Sequence, residues 1–208
     1  MITNVYVDGF NLYYGCLKGT SHKWLDLDAL CRTLLPNNQL HRIRYFTARV
    51  KVRDDPLAPV RQDLYLQALS TLPHVSTHLG HFLVTKARMA LATPPPAGPR
   101  TVEVLKTEEK GSDVNLATYL LTDAFRGDCQ TAVVITNDSD LAEPIRVISQ
   151  ELSIPVGLIN PHPRQASRAL LRQGPAFVKS IRPSVLARSQ FPAEIVVRGR
   201  TIHRPQGW

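Results

Sequence analysis

The chain has 208 residues, 43% hydrophobic and 20% charged, an ordinary folded-protein composition with enough apolar material for one sizeable core. No apolar stretch approaches the roughly 20 residues that cross a bilayer, MITNVYVDGF lacks the features of a secretory leader, and Cys16, Cys31 and Cys129 are too scattered for a disulfide framework or zinc cluster; a reducing cytoplasm without membrane contact is expected. The net charge of +8 lies entirely at one end: residues 1–160 hold 16 Lys or Arg against 16 Asp or Glu, and residues 161–208 hold nine against Glu194 alone, which favours a polyanionic partner, nucleic acid before membrane.

ITNVYVD (2–8) reads as a buried strand ending on Asp8, and VDGFN opens no obvious helix. LDLDALCRTLL (25–35) is a helix stopped by Pro36. HRIRYFTARV (41–50) alternates as a strand. Residues 58–72 have helical spacing and 74–84 are strand-like. ARMALATPPPAGPR (87–100) predicts a mobile loop, followed by a short strand at 101–106 and a loop carrying Glu108, Glu109 and Lys110.

The second half is more regular. Residues 112–127 form a helix with Val114, Ala117, Leu121, Ala124 and Phe125 on one face, stopped by Gly127. TAVVIT (131–136) is apolar enough to be buried on both faces. A helix at 139–153, a buried strand at 154–160, a helix at 164–174 and a strand at 176–181 follow, and the tail is a small hairpin or a partly ordered arm. Strand alternating with helix predicts an α/β fold with a mainly parallel sheet covered on both faces. Sheet edges and the C-terminal arm leave room for a homodimer.

The chemistry gathers at strand ends. Asp8 closes the first strand, Asp138 and Asp140 follow 131–136, and Asp113 lies in the first turn of its helix. In open α/β sheets ligands bind beyond the carboxyl ends of the strands, at a switch in strand order. If the first strand and 131–136 are neighbours, these acids converge. Taken singly, Asp113 and Asp140 are also good helix-terminal residues, and Asp140 with Glu143 matches a capping box. Taken together they repel: two carboxylates about 4 Å apart cost roughly 4 kcal/mol at an effective dielectric near 20. A hard divalent cation, Mg²⁺ or Mn²⁺, relieves that repulsion and suits oxygen donors. An acidic metal centre beside a basic surface describes a nuclease.

YVDGFNLYY with Asp8 and Asn11, EKGSDVNLATYLLTDA with Asp113, and VVITNDSDLAEPIRVISQE with Asp138 and Asp140 resemble the NYN domain, the LabA-like branch of the PIN-like nuclease superfamily. The likeness covers about residues 2–160. It implies a Rossmann-like three-layer α/β/α catalytic domain over 1–160, with 161–208 a basic extension completing or flanking it, and a metal-dependent ribonuclease activity. It also implies that Asp8, Asp113, Asp138 and Asp140 hold Mg²⁺ or Mn²⁺, that Asn11 positions a metal-bound water or the substrate phosphate, and that Ser139 fixes its loop or contacts phosphate. Whether Glu108 or Glu109 joins them stays open. A non-catalytic RNA-binding module on the same fold is the alternative. A phosphatase that phosphorylates its first-strand aspartate normally wants a second Asp where this chain has Phe10.

For RNA binding, Arg164, Arg168 and Arg172 fall on one stripe of the predicted helix, with Lys179 and Arg182 close behind and Lys110 near the acids. Arg49, Lys51 and Arg53 extend that track. His74 and His78 face one side of a strand and His81 the other, a poor arrangement for zinc. Tyr13, Tyr14 and Trp24 are candidates for base stacking or for packing. No G-x-G-x-x-G follows a strand, so dinucleotide binding lacks its fingerprint.

Overall fold

A computed structural model describes residues 1–52 and 55–208. Its sheet is built from β1 (Ile2–Asp8), β2 (Gln39–Ala48), β3 (Val75–Ala90), β4 (Thr101–Lys110), β5 (Thr131–Ile135), β6 (Val156–Asn160) and β7 (Phe177–Ser180), in the order β4-β3-β2-β1-β5-β6-β7. Every pairing is parallel except β3 with β4. Helices α2 (Leu27–Leu34), α3 (Ala58–Leu69) and α7 (Pro183–Arg188) cover one face. The other face is covered by α4 (Ser112–Phe125), α5 (Ala142–Arg146) and α6 (Arg168–Leu171). This is the expected three-layer α/β arrangement.

The period-2 alternation of strands divides the core in two. Val5, Val7, Val133 and Ile135 point toward α2 and α3, while Tyr6, Ala132 and Val134 point toward α4 and α5. Trp24 is wholly buried in the first layer, its indole N–H donating to the Pro192 carbonyl at 2.8 Å. The C-terminal hairpin of β8 (Glu194–Val197) and β9 (Arg200–His203) contributes Val197 and Ile202 to that layer. β7 extends the same sheet from residues beyond 160.

Four elements differ from expectation. Residues 9–17 are helical, as α1 (Gly9–Leu12) running into a π-helical turn, Tyr13–Leu17; Asp8 caps this segment by accepting the Asn11 N–H at 2.9 Å, a cap hidden by the glycine that follows it. Gly9 is needed there because a Cβ would stand 2.6 Å from the Phe46 carbonyl oxygen. In α4 the buried face is Leu116, Leu120, Asp123 and Ala124, leaving Val114 and Phe125 largely exposed. The helix has two apolar stripes, and an ion pair selects between them. Arg44 of β2 binds Asp123 through two hydrogen bonds, 2.7 and 2.9 Å, and the Tyr6 hydroxyl donates to the same carboxylate at 2.9 Å.

The expected helix at 164–174 is only α6, so Arg164 lies in a loop and the arginine stripe is not formed. Pro161 and Pro163 precede it, and side chains claim the local backbone: Asn137 Oδ1 accepts from Ser167 N at 2.6 Å and Asn160 Nδ2 donates to the Arg164 carbonyl at 2.7 Å. The expected loop at 87–100 is also shorter. β3 continues to Ala90 and pairs with Thr101–Lys110, confining the prolines to the connection and placing Glu108, Glu109 and Lys110 within β4. Only Val75–Gly80 of β3 pairs with β2. From His81 onward β3 and β4 form a two-stranded ribbon about 33 Å long, at roughly 3.3 Å per residue, projecting from the carboxyl edge of the sheet.

Candidate functional site

β1 lies between β2 and β5, so the strand order reverses at β1, with Val7 opposite Ile135. Asp8 ends β1 and Asp138 stands just beyond β5. Asp113 arrives in the first turn of α4. One carboxylate oxygen from each of Asp8, Asp113 and Asp138 lies within 4.8 Å of the others. The three come from parts of the chain up to 130 residues apart.

Each acid is held differently. Asp8 is buried, with Oδ1 accepting from Asn11 N and Oδ2 from the Thr136 hydroxyl at 2.9 Å. Burial pushes its carboxyl above the usual range, and those two donors oppose the shift. Thr136 Oγ1 also accepts from Asp138 N at 3.1 Å, coupling the two strand ends. Asp138 caps the 3₁₀ turn Ser139–Leu141 that leads into α5, accepting from Asp140 N at 3.0 Å. Among the described residues no hydrogen-bond donor reaches the Asp113 carboxylate. Burial first, then the charges of Asp8, Asp138, Glu109 and Asp140, raise its pKa to about 6.

The remaining expected residues fall around this cluster. Asp140 is exposed and outside the three-carboxylate group, acting on it through space. Ser139 is exposed beside it. Glu109 lines the acid pocket and caps α4, accepting from Ser112 N at 3.1 Å and Ser112 Oγ at 2.7 Å. Glu108 instead pairs with Lys106 at 2.9 Å and Lys110 at 3.6 Å. Asn11 spends its side-chain oxygen as a tie, accepting from Asn137 N at 3.1 Å and lying 3.0 Å from His162 Nε2.

The acid pocket is about 250 Å³, and Phe10, Tyr14 and Phe82 give it an aromatic rim. Sequence reasoning missed Thr136, Asn137, His162 and Phe82, whose roles depend on contacts that local pattern does not encode. Three converging carboxylates, of which Asp113 has no donor among the described residues, offer a hard oxygen-only site that fits Mg²⁺ or Mn²⁺.

Arg164, Arg168, Arg172 and Arg182 are exposed. Lys179 is committed elsewhere: its ammonium donates to the Leu34 carbonyl at 2.6 Å and closes the C-terminus of α2. Arg49 pairs with Asp63 at 2.9 Å, and Arg53 lies outside the described residues. His78 stacks on Phe46 with centroids 5.0 Å apart, and both burial and Arg44 push its pKa down.

A larger cavity, about 640 Å³, lies on the other side of α1, between the end of β2, α3 and the C-terminal residues. Phe10 and Tyr14 line both cavities and separate them.

The NYN domain model matches residues 2–181, from β1 through β7. The chain belongs to the NYN family. NYN domains are members of the PIN-like nuclease superfamily, and the switch-point acids stand where such a fold binds ligands. The match runs past residue 160, the extent read from the sequence alone. This NYN chain is also 31% identical to 6-hydroxy-3-succinoylpyridine 3-monooxygenase HspA of Pseudomonas putida, over 99% of this chain and 75% of the relative. A crystal structure of a protein of unknown function from Vibrio parahaemolyticus shares its fold, with a TM-score of 0.58 and 15% identity over 88% of this chain and 93% of that one. Among the described residues no helix is long and apolar enough to cross a membrane.

Proposed function

We propose that this NYN protein is a ribonuclease dependent on Mg²⁺ or Mn²⁺, with Asp8, Asp113 and Asp138 as metal ligands and Asp140 at the rim of the same centre. The observation that carries the reading is the meeting of three carboxylates at the switch point. A bound divalent ion would activate water and neutralise charge developing at phosphorus. The chain's own groups do the positioning. Thr136 and Asn11 N–H orient Asp8, the Asn11–Asn137–His162 tie holds the loops after β5 and β6 against α1, and Phe10, Tyr14 and Phe82 offer ring faces to flanking bases. Arg164, Arg168, Arg172, Arg182 and Lys110 supply phosphate contacts, with Ser139 beside the acids. Lys179 contributes through α2.

The test compares RNA cleavage by wild type and Asp138→Asn in Mn²⁺, Mg²⁺ or EDTA. Cleavage by the wild type in either metal, abolished by EDTA and by the substitution, is expected. Equal cleavage in every tube would sink the assignment, and RNA binding without any cleavage would move the protein to the non-catalytic alternative.

One observation favours a second reading. The relative that aligns with almost the whole chain is named as a monooxygenase of a pyridine carrying a succinoyl group. On that reading the substrate is a small heteroaromatic acid. Dioxygen uptake that depends on such an acid and a supplied reductant, with no RNA cut, supports it.

A further inference from the structure

The larger cavity is not needed by the acid centre, yet it is built from unusual material. Its inner wall carries the rings of Tyr45, Tyr65 and Trp208. Tyr45 and Tyr65 meet edge to face with centroids 6.2 Å apart, and Tyr65 and Trp208 do the same at 5.9 Å. The Tyr65 hydroxyl turns away to the Leu25 carbonyl at 2.9 Å; Tyr45 and Tyr65 are buried in the wall, and Trp208 is half-buried beside them. Gln62 stiffens the wall from α3, donating to the Ala48 carbonyl and accepting from Val50 N, both at 2.8 Å. The rim is cationic. Among the described lining residues Lys18, Lys23, Lys51 and Arg61 face one side-chain carboxylate, Asp55, which pairs with Arg61. Lys18 already rests over the Tyr14 ring, 4.9 Å from its centroid.

Aromatic surfaces bind flat rings through offset and edge contacts, and ammonium groups around a low-dielectric wall favour an anion. A volume near 640 Å³ lies within the range of small-molecule sites. We propose that this cavity binds a small planar aromatic anion, its ring against Tyr45, Tyr65 and Trp208 and its acidic group among the rim cations. The inference goes beyond the acid centre and stands whichever chemistry those carboxylates perform. Two sources share this chemistry: a free aromatic carboxylic acid, and a nucleotide from the end of an RNA.

The experiment is isothermal titration of the full chain with 2-naphthoate, with the neutral 2-naphthamide, and with uridine 5′-monophosphate. Lys18→Gln/Lys51→Gln and Asp138→Asn proteins are titrated in parallel. Lys18 and Lys51 are exposed, so the double variant keeps its fold, and a matching thermal transition verifies this. An anion is expected to bind about tenfold more tightly than the amide. The double variant should lose that preference and Asp138→Asn should retain it. Preference for naphthoate assigns the site to free aromatic acids, and preference for the nucleotide assigns it to RNA ends. Neither anion outcompeting the amide, or a double variant with undiminished preference, overturns the proposal.

Discussion

Replacing Asp113 with asparagine separates repulsion from function. With oxygens up to 4.8 Å apart, each ionised pair in the cluster repels by about 3.5 kcal/mol at an effective dielectric near 20. The upward displacement of the Asp113 pKa from 3.8 to about 6 corresponds to about 3 kcal/mol unscreened. Asp113 is half-exposed, so solvent cuts this to about 1–1.5 kcal/mol. The sign follows from proton linkage. Well below pH 3.8 the carboxyl is protonated in both folded and unfolded chains and costs nothing; as pH rises from about 3.8 to about 6 the unfolded chain ionises first and wild type loses stability. In EDTA, Asp113→Asn is therefore expected to match wild type at about pH 3. At pH 8 it should exceed wild type by about 1–1.5 kcal/mol, a gain of about 2–6 °C in melting temperature. Saturating Mn²⁺ should reverse the order, since ligand at one hundred times its Kd stabilises wild type by about 2.7 kcal/mol and the variant by less. Thermal melts across pH, with EDTA or Mn²⁺, measure all of this. A variant less stable than wild type in EDTA at pH 8, or equal stabilisation of both by Mn²⁺, refutes the reasoning.

Other perturbations test the frame around the site. Asp123→Asn leaves the Arg44 guanidinium half-paired beneath α4 and is expected to cost about 3–5 kcal/mol in urea unfolding; a loss below about 1 kcal/mol would mean the pair is not structural. Gly80→Ala places a methyl 2.6 Å from the Lys110 carbonyl oxygen and 2.9 Å from Ser112 N. Overpacking of this kind costs about 1–3 kcal/mol, and the shift in α4 should weaken Mn²⁺ binding, readable by calorimetry. Replacing Arg164, Arg168 and Arg172 by Glu should weaken RNA binding in fluorescence anisotropy and flatten its dependence on salt, by about 0.7 in log–log slope per lost phosphate contact. An unchanged slope removes these arginines from the interface.

The strands were the most legible part of this chain. TAVVIT is almost wholly apolar and so reads as central, ITNVYVD reads as a buried strand, and acids at the ends of such strands announce a ligand-facing edge. Asp8, Asp138 and Asp140 at such strand ends, with Asp113 in the first turn of its helix, are grouped from the sequence as one set of four; the structure brings three of them together and leaves Asp140 outside. The helical turn after Asp8 was not legible, because a glycine required for close packing on Phe46 also depresses helix propensity. The arginine stripe failed because Asn137, 30 residues away, and Asn160, at the end of β6, capture backbone groups that a longer helix would need. The ribbon was hidden by its prolines, which mark the turn but not how far pairing extends on either side. In α4 two apolar stripes were equivalent until Arg44 chose between them.

The ribbon of β3 and β4 also sets how this molecule tolerates changes in length. Its root is sewn into the sheet through Val75–Gly80, and Phe82 opposite Glu109 sits at the acid pocket. Beyond that rung the side-chain faces repeat every second residue. Trimming or splicing the outer rungs in matched pairs, the same number from each strand, therefore changes the reach of the boom while every side chain at its base keeps its orientation.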